Sequence, residues 1–395
     1  MSFELQLKKV MESSGREQTL ACLTDAISEN KLDVTKGWSV RRLMETFHGP
    51  DWAEQFATRR LTEGPESVSA SNAVSVGILG QLYLSIIKKA YELQKSVAFD
   101  LVTEIGVSNM NIGSEVVGYY SSPYNIGESV DEGATFPSNL VKSQSVRLPA
   151  IKKWGSLMNL SYEAVYTDKT YELTQQAQMI GQMVRVNQIY DILNVVLGYD
   201  QSYIFNETNL NTYYTAATPN APFVNKVTGF SIDSLQAVNQ LEQTILNQLD
   251  PVSGLPIQLL DNKQILVVPQ ALYKVRSIIG AQNVRYGNYD PAVNRFDTYA
   301  SNPLVSSEYQ ILSDIWTQNV LNSNSVPYAD GANFMILGDF KKAFTMRTFR
   351  PLTVDTLPQP STWSIQNDII ATYRAVTMSK AGIMDPRYVA YGAVS

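Results

Sequence analysis

Histidine occurs once in these 395 residues, at His48, and cysteine once, at Cys22. A Ser-His-Asp relay needs an imidazole beside its nucleophile, and His48 sits in a His48-Gly49-Pro50 run that reads as a helix break. One imidazole and one thiol cannot make a multi-histidine or thiolate metal cluster, and a lone cysteine rules out an intramolecular disulfide. Asp131 and Glu132 are adjacent carboxylates, the raw material of acid–base catalysis, but neighbouring acids in a Gly-rich loop are ordinarily solvated. The runs GxxxxGK[ST] and HExxH are absent, as is GxGxxG after a strand. Asn159-Leu160-Ser161 and Asn206-Glu207-Thr208 fit the glycosylation pattern, which matters only in a secreted chain. The inventory points away from an enzyme: catalytic residues, cofactors and metals are all expected to be none. A hydrolase with an unrecognised site is the alternative from another class. The scarcity of histidine speaks against it, and activity screening is the check.

Composition suggests where the chemistry goes instead. Apolar residues make up 44% of the chain, enough for a core, and the length suits two or three packed subdomains. Charged residues are only 17%, against roughly 25% in an ordinary soluble domain. Polar surface comes from Asn, Gln, Ser, Thr and 22 Tyr, a mixture that suits a surface largely covered by partners, because interfaces favour Tyr and disfavour Lys, Glu and Asp. The net charge is −6 without a basic stripe, so specific nucleic-acid recognition is not expected. Lys8, Lys9, Arg41, Arg42, Arg59 and Arg60 are interleaved with acids and read as solvated helix faces. The run MSFELQLKKVMESSG lacks the apolar core of a signal peptide, and no apolar run approaches the ~18 residues of a membrane span. A reducing cytoplasm is the expected compartment.

The elements that must carry these residues are mixed. Residues 1–64 read as a helical arm with short amphipathic runs at 20–27 and 39–47, with Ser39 as N-cap of the second. Trp38, Phe47, Trp52 and Phe56 look like its packing anchors. Gly64-Pro65 and the small polar residues to Ser71 read as a linker, and 74–105 as a helix with Ile78, Leu82, Ile86 and Leu93 near one face. Residues 115–120 and 140–148 are β-prone pieces joined by about twenty residues rich in Gly, Ser, Asn and acids, which predicts a long hairpin. That hairpin has little apolar alternation to hold it on a core of its own, so something else must cover it.

A long helix is predicted over 169–197, closed by Gly198, with Met179, Met183, Val186, Tyr190, Leu193 and Leu197 as one apolar stripe. Residues 206–225 are a polar, Tyr-rich loop. A second helix opens at Ser231 with Ile232, Leu235, Val238, Leu241, Ile245 and Leu249 inward. Gln264–Val268 is a buried strand before a helix over 269–279. A Tyr/Asn/Pro-rich loop over 285–307 suggests an interaction surface, and the remainder is mostly strand, at 309–315, 334–337, 343–349, 365–378 and 388–393. The fold class is α+β with few clean βαβ units.

The order of these pieces is specific. Gly127-Glu128-Ser129-Val130-Asp131-Glu132-Gly133-Ala134-Thr135-Phe136-Pro137 leads into a strand, then Asn159-Leu160-Ser161-Tyr162-Glu163 and the long helix. Later come residues 255–268 before Pro269, then Gly338-Asp339-Phe340-Lys341-Lys342-Ala343, Gln366-Asn367-Asp368 through Tyr373-Arg374-Ala375, and Met384-Asp385-Pro386 before Tyr388-Val389-Ala390. This succession, over residues 75–395, resembles the major capsid proteins of tailed bacteriophages, which share the Hong Kong 97 capsid fold. Each motif alone is weak; their shared order carries the resemblance.

The helical arm at 1–64 departs from the family's simplest pattern, in which a longer leading segment acts as a scaffold, and reads as either a short scaffold cut near residues 64–71 or a retained arm; a linker and helix at 65–114 come next. The resemblance implies that an extended loop at 115–150 follows, then a peripheral domain with its spine helix at 151–230 and an axial domain at 231–330, with returning strands at 331–395. Glu128, Asp131, Glu132, Phe136 and Lys142 of the extended loop would touch a neighbouring subunit. Some relatives crosslink a loop lysine to an asparagine; Lys142 lies in the right loop, but no surrounding motif matches. The implied partners are the chain itself, in hexamers and pentamers of an icosahedral shell, a portal protein, decoration proteins and packaged DNA held without sequence preference. The implied location is the virion, assembled in the host cytoplasm. An encapsulin-type nanocompartment shell protein shares the fold and is the nearest alternative; a neighbouring gene for portal and terminase, against one for a cargo enzyme, separates the two.

Overall fold

Strand and helix alternate unevenly along the chain. In this computed structural model the described residues are 39–48, 50–51, 65–108, 113, 115–123, 141–200, 203–218, 221, 223–232, 235–249, 262–281, 283–290, 295–302, 309–326, 333–357 and 369–393. The first half contains helices α1 (Val40–His48) and α2 (Pro65–Leu93), then strands β1 (Thr103–Gly106), β2 (Glu115–Pro123), β3 (Val141–Leu148) and β4 (Lys152–Ser161). Helices α3 (Tyr162–Tyr166) and α4 (Thr170–Val196) follow, with short strands β5 (Tyr203–Phe205), β6 (Thr208–Leu210) and β7 (Lys226–Val227). Next come α5 (Leu235–Leu246), β8 (Gln264–Val267), α6 (Pro269–Gly280), β9 (Asn283–Asp290), β10 (Arg295–Ser301) and β11 (Gln310–Ser313). The chain closes with α7 (Ile315–Ser323), β12 (Met335–Gly338), α8 (Phe340–Ala343), β13 (Phe344–Leu357), β14 (Ile369–Ile383) and β15 (Val389–Gly392). The class is α+β, as expected from the sequence.

By contacts the chain divides into two units, the first made of Met1–Lys95, Lys152–Gln188 and Arg350–Ser379. In it α4 buries Leu173, Ala177, Ile180 and Val184, spaced four, three and four residues apart as one helix face requires. Gly181 lies where α2 meets α4: a Cβ there would strike the Ile87 carbonyl and lie 3.1 Å from the Ala90 Cβ, so glycine sets how closely the helices approach. Beside it the Tyr91 hydroxyl donates to Gln188 Oε1 at 2.6 Å and accepts from Arg185 Nη1 at 2.9 Å. Strand β4 pairs antiparallel with the first part of β14, from Ser161 opposite Ile369 to Lys152 opposite Ser379. Alternation along β4 turns Met158 and Leu160 inward and leaves Leu157 exposed. Ser161 ends the strand and starts α3, its Oγ accepting from Ala164 N.

The second unit is Ser96–Ile151, Ile189–Phe349 and Lys380–Ser395. Its centre is a five-stranded sheet in the order β11-β8-β12-β15-β7, with β8 and β12 buried at every position. Helix α5 turns Ala237, Val238, Leu241 and Ile245 inward in this unit's core. Gly338 has a φ of +153°, and a Cβ there would meet the Tyr388 carbonyl and Val389, so glycine lets β12 pass close to that segment. Lys380, only 3% exposed, donates to Asp191 Oδ1 at 2.6 Å and to Asp200 Oδ2. Burial alone would lower this ammonium; Asp191 and Asp200 outweigh it and hold its pKa above the ordinary lysine value.

Several expectations shift. Residues 66–71 are helix rather than linker, because Pro65 opens α2 directly and the small residues after it continue the helix. That helix ends at Leu93, not near 105; the Ser96 hydroxyl caps a 3₁₀ turn at Val97–Leu101 instead. Residues 285–290 and 295–301 are the paired strands β9 and β10 rather than a loop. The strand expected over 309–315 stops at Ser313, where Asp314 caps α7 by accepting from Trp316 N. Residues 189–230, read from sequence with the preceding segment, lie in the second unit. The α4 stripe is also corrected: Met179 is 58% exposed and Met183 55%, and only its end, Leu193 and Leu197, is buried. Leu249, expected inward, is exposed.

Candidate assembly surfaces

The long hairpin is real, and its two ends are built differently. Strands β2 and β3 pair antiparallel from Glu115 opposite Leu148 to Pro123 opposite Val141, with a bulge between Val116 and Gly118. Nine residues at ~3.3 Å each make a ribbon of roughly 30 Å. At its root β3 also pairs with β5, Val146 opposite Phe205 and Arg147 opposite Ile204, and β6 completes a four-stranded sheet. Beyond Ser145 the two strands have only each other as sheet partners among the described residues.

The root is fixed by several independent contacts. Val146 and Leu148 are buried in the core. Arg347, 2% exposed, donates through Nη1 to the Gly113 carbonyl at 3.0 Å and the Pro149 carbonyl at 3.2 Å, so one guanidinium holds the chain where it leaves for the hairpin and where it returns. A Cβ on Gly382 would lie 2.8 Å from Leu148 Cδ2 and 2.9 Å from Pro149 Cδ, so β14 passes flush against the same point. The β5–β6 turn braces it from another direction. Asn206 Oδ1 accepts from Ser145 N at 3.0 Å, Asn206 N donates to the Ser145 carbonyl at 2.9 Å, and Glu207 pairs with Arg147 at 2.8 Å. Asn206 and Glu207 both have positive φ, 45° and 65°, as a tight two-residue hairpin turn requires.

A second ribbon, β9–β10, forms a two-stranded sheet by itself. Its footing includes Asn302, whose Nδ2 donates to the Ile278 carbonyl at 2.8 Å. Its sequence, NVRYGNYD and RFDTYAS, carries Tyr286, Tyr289, Phe296 and Tyr299. In the first unit the exposed side of α4 presents Tyr171, Met179 and Met183.

The residues expected from sequence to make inter-subunit contact fall mostly outside this description. Glu128, Asp131, Glu132 and Phe136 lie outside the described residues, as do Trp38, Trp52 and Phe56. Lys142 is described only as backbone, opposite Ser122 in the hairpin, and Phe47 only as part of α1. Among the described residues of that arm, Val40, Leu43 and Met44 are fully buried. Arg374 pairs with Asp355 at 3.0 Å, sharing it with Arg350. The structurally decisive Arg347 and Gly382 were missed by sequence reading. The signal for Arg347 was an arginine in the otherwise uncharged run Ala343-Phe344-Thr345-Met346-Arg347-Thr348-Phe349, where a strand in a core has no use for a charge unless it is spent on carbonyls.

No group of three or more His, Cys, Asp or Glu able to hold a metal ion occurs among the described residues. No helix among them is long and apolar enough to cross a membrane.

No family model matches the chain, and no curated protein does. Solved structures similar to it include phage capsids and a virus-like particle. The capsid of Cyanophage P-SCSP1u is 12% identical over 76% of this chain and 88% of that one, with a TM-score of 0.45. A structure of Mycobacterium phage Ogopogo is 15% identical over 76% and 92%, with a TM-score of 0.43. A virus-like particle from Pyrococcus furiosus is 11% identical over 79% and 98%, with a TM-score of 0.38.

Proposed function

We propose that this chain is the major capsid protein of a tailed phage, with many copies, as hexamers and pentamers, closing an icosahedral shell around double-stranded DNA. The supporting observation is the β2–β3 ribbon, braced at its root by core packing, a buried guanidinium and a tight turn, and lacking further sheet partners beyond Ser145 among the described residues. A bare ribbon of that length is an aggregation hazard unless a neighbour covers it. An anchored root fixes its direction, so every copy presents the same reach to the next one. That is the property a tiling subunit needs. At ~25 cal/mol per Å² a contact of about 1,000 Å² of apolar surface stabilises assembly well, even after ordering costs. The order of motifs from residue 75 to the C-terminal strands fits the same reading.

In this reading the extended loop's Glu128, Asp131, Glu132, Phe136 and Lys142 meet the adjacent subunit, and portal and decoration proteins join the same shell. Expression of the full chain followed by negative-stain electron microscopy and sedimentation tests it. Uniform closed particles are expected, and discrete monomers overturn it. Replacing residues 119–144 with a short Gly-Ser turn is expected to leave a folded monomer that no longer closes shells. Nucleic acid inside particles recovered from the native source supports the genome shell, and an enzyme cargo there supports a nanocompartment instead.

A further inference from the structure

The start of the stripe that the sequence marks on α4, Met179 and Met183, is exposed. Tyr171 is 74% exposed, Met179 and Met183 more than half exposed, and Gln175, Gln176, Gln182 and Asn187 are exposed between and beside them. From Leu173 to Tyr190 the helix carries a single charge, Arg185, and its guanidinium is engaged 4.7 Å over the Tyr91 ring. Solvated helix faces ordinarily carry charges, whereas exposed methionines on an uncharged face suit an apolar partner that packs against them.

The chain itself leads to this face. Ser39 Oγ donates to Asp168 Oδ2 at 2.9 Å, and Val40 N donates to Thr170 Oγ1 at 2.8 Å. Residues 1–38 therefore join the described chain beside the N-terminal end of α4, next to Tyr171. Within them the run 20–27, Leu-Ala-Cys-Leu-Thr-Asp-Ala-Ile, puts Leu20, Leu23 and Ile27 at the spacing of one helical face. The eleven residues between Ile27 and Ser39 make twelve steps that reach up to ~40 Å when extended. Tyr171 to Met183 rises only ~18 Å along α4. The tether spans the face with length to spare.

We propose that residues 20–27 lie as an amphipathic helix along the exposed side of α4 of the same chain, covering Met179 and Met183. The contact is a latch between the arm and the long helix. It needs one molecule only and stands apart from the shell reading.

Cys22 is the chain's one thiol and falls inside the docking run, which makes the test clean. Met179→Cys, Gln175→Cys and Met183→Cys are each made in the full chain and treated with a short bis-maleimide. The expected product is monomer-sized, with both thiols consumed and the two peptides joined in the mass spectrum at one or more of the three positions. Tyr273→Cys on α6, also exposed, is expected to give none. Adding Leu23→Asp to Met179→Cys is expected to lower the yield about tenfold, the equivalent of ~1.4 kcal/mol. Covalent dimers would assign the arm to a second copy and overturn the proposal. So would equal yield at Tyr273→Cys, or no linkage at any of the three positions.

Discussion

The two β-ribbons of the second unit share a far end without a third strand among the described residues, but they are rooted by different means. The β2–β3 ribbon grows out of a four-stranded sheet and is pinned at its root by Arg347, Gly382 and the Asn206-Glu207 turn. The β9–β10 ribbon is a sheet of two strands whose footing includes the Asn302 amide on a helix-end carbonyl. Both have outer edges that would satisfy a partner's backbone. Only the first has a root that dictates where its outer part points. A ribbon's direction is therefore a property of its base, and the strands beyond merely extend it.

The contrast breaks most readily at Arg347. Arg347→Met keeps the bulk but removes both charge-assisted bonds to the Gly113 and Pro149 carbonyls, and is expected to cost about 3 kcal/mol in chemical denaturation. A loss under about 1 kcal/mol would make the two ribbons equivalent after all. Gly382→Ala, whose new methyl must push into Leu148 and Pro149, is expected to cost about 1–3 kcal/mol by the same measurement. Replacing β9–β10 with a short Gly-Ser turn is expected to change stability by less than about 1 kcal/mol while altering particle yield or shape in electron micrographs. Glu207→Gln, which loses the ion pair to Arg147 at an exposed position, is expected to cost about 0.5 kcal/mol or less.

Alkaline pH sharpens the same comparison. Burial raises the Tyr203 hydroxyl on β5, and the two aspartates hold Lys380 protonated near Gly382. Both groups bind their protons more tightly in the folded state, so their stabilisation is intact below the unfolded values of roughly 10 to 10.5 and is lost as pH rises through the folded ones. Hydrogen exchange at Val146 and Leu148 is expected to accelerate with that loss, beyond the ordinary rise of the intrinsic rate.

Much of this architecture was legible in the sequence because it depends on local rules. Pro269 opening α6, Ser39 capping α1 and the apolar run Gln264–Val268 each announce themselves within a few residues. The hairpin was visible as two β-prone pieces without an apolar face. The side of α4 that meets its core was not, because both of its faces carry apolar residues at helical spacing. Periodicity marked the Met179–Met183 stripe, while the core uses Ala177, Ile180 and Val184, and Gly181 decides which side α2 approaches. The ribbon's anchors escaped for a related reason. Arg347 and Gly382 act on residues far away in the chain, and no short window contains both partners. Helix α7 was missed because Asp314 interrupts a run that otherwise reads as strand.

Sequence distance has a consequence for timing. Arg347 lies 234 positions after Gly113 and 198 after Pro149. A ribosome finishes the ribbon's own residues long before it delivers Arg347, so until then a nascent chain has the Asn206-Glu207 turn as a brace but lacks the guanidinium that ties the two ends of the root together. Partly made or truncated chains then lack a fixed reach. In the shell proposed above, only molecules made past Arg347 would offer that fixed reach, and growth would be shielded from shorter copies without any separate inspection step.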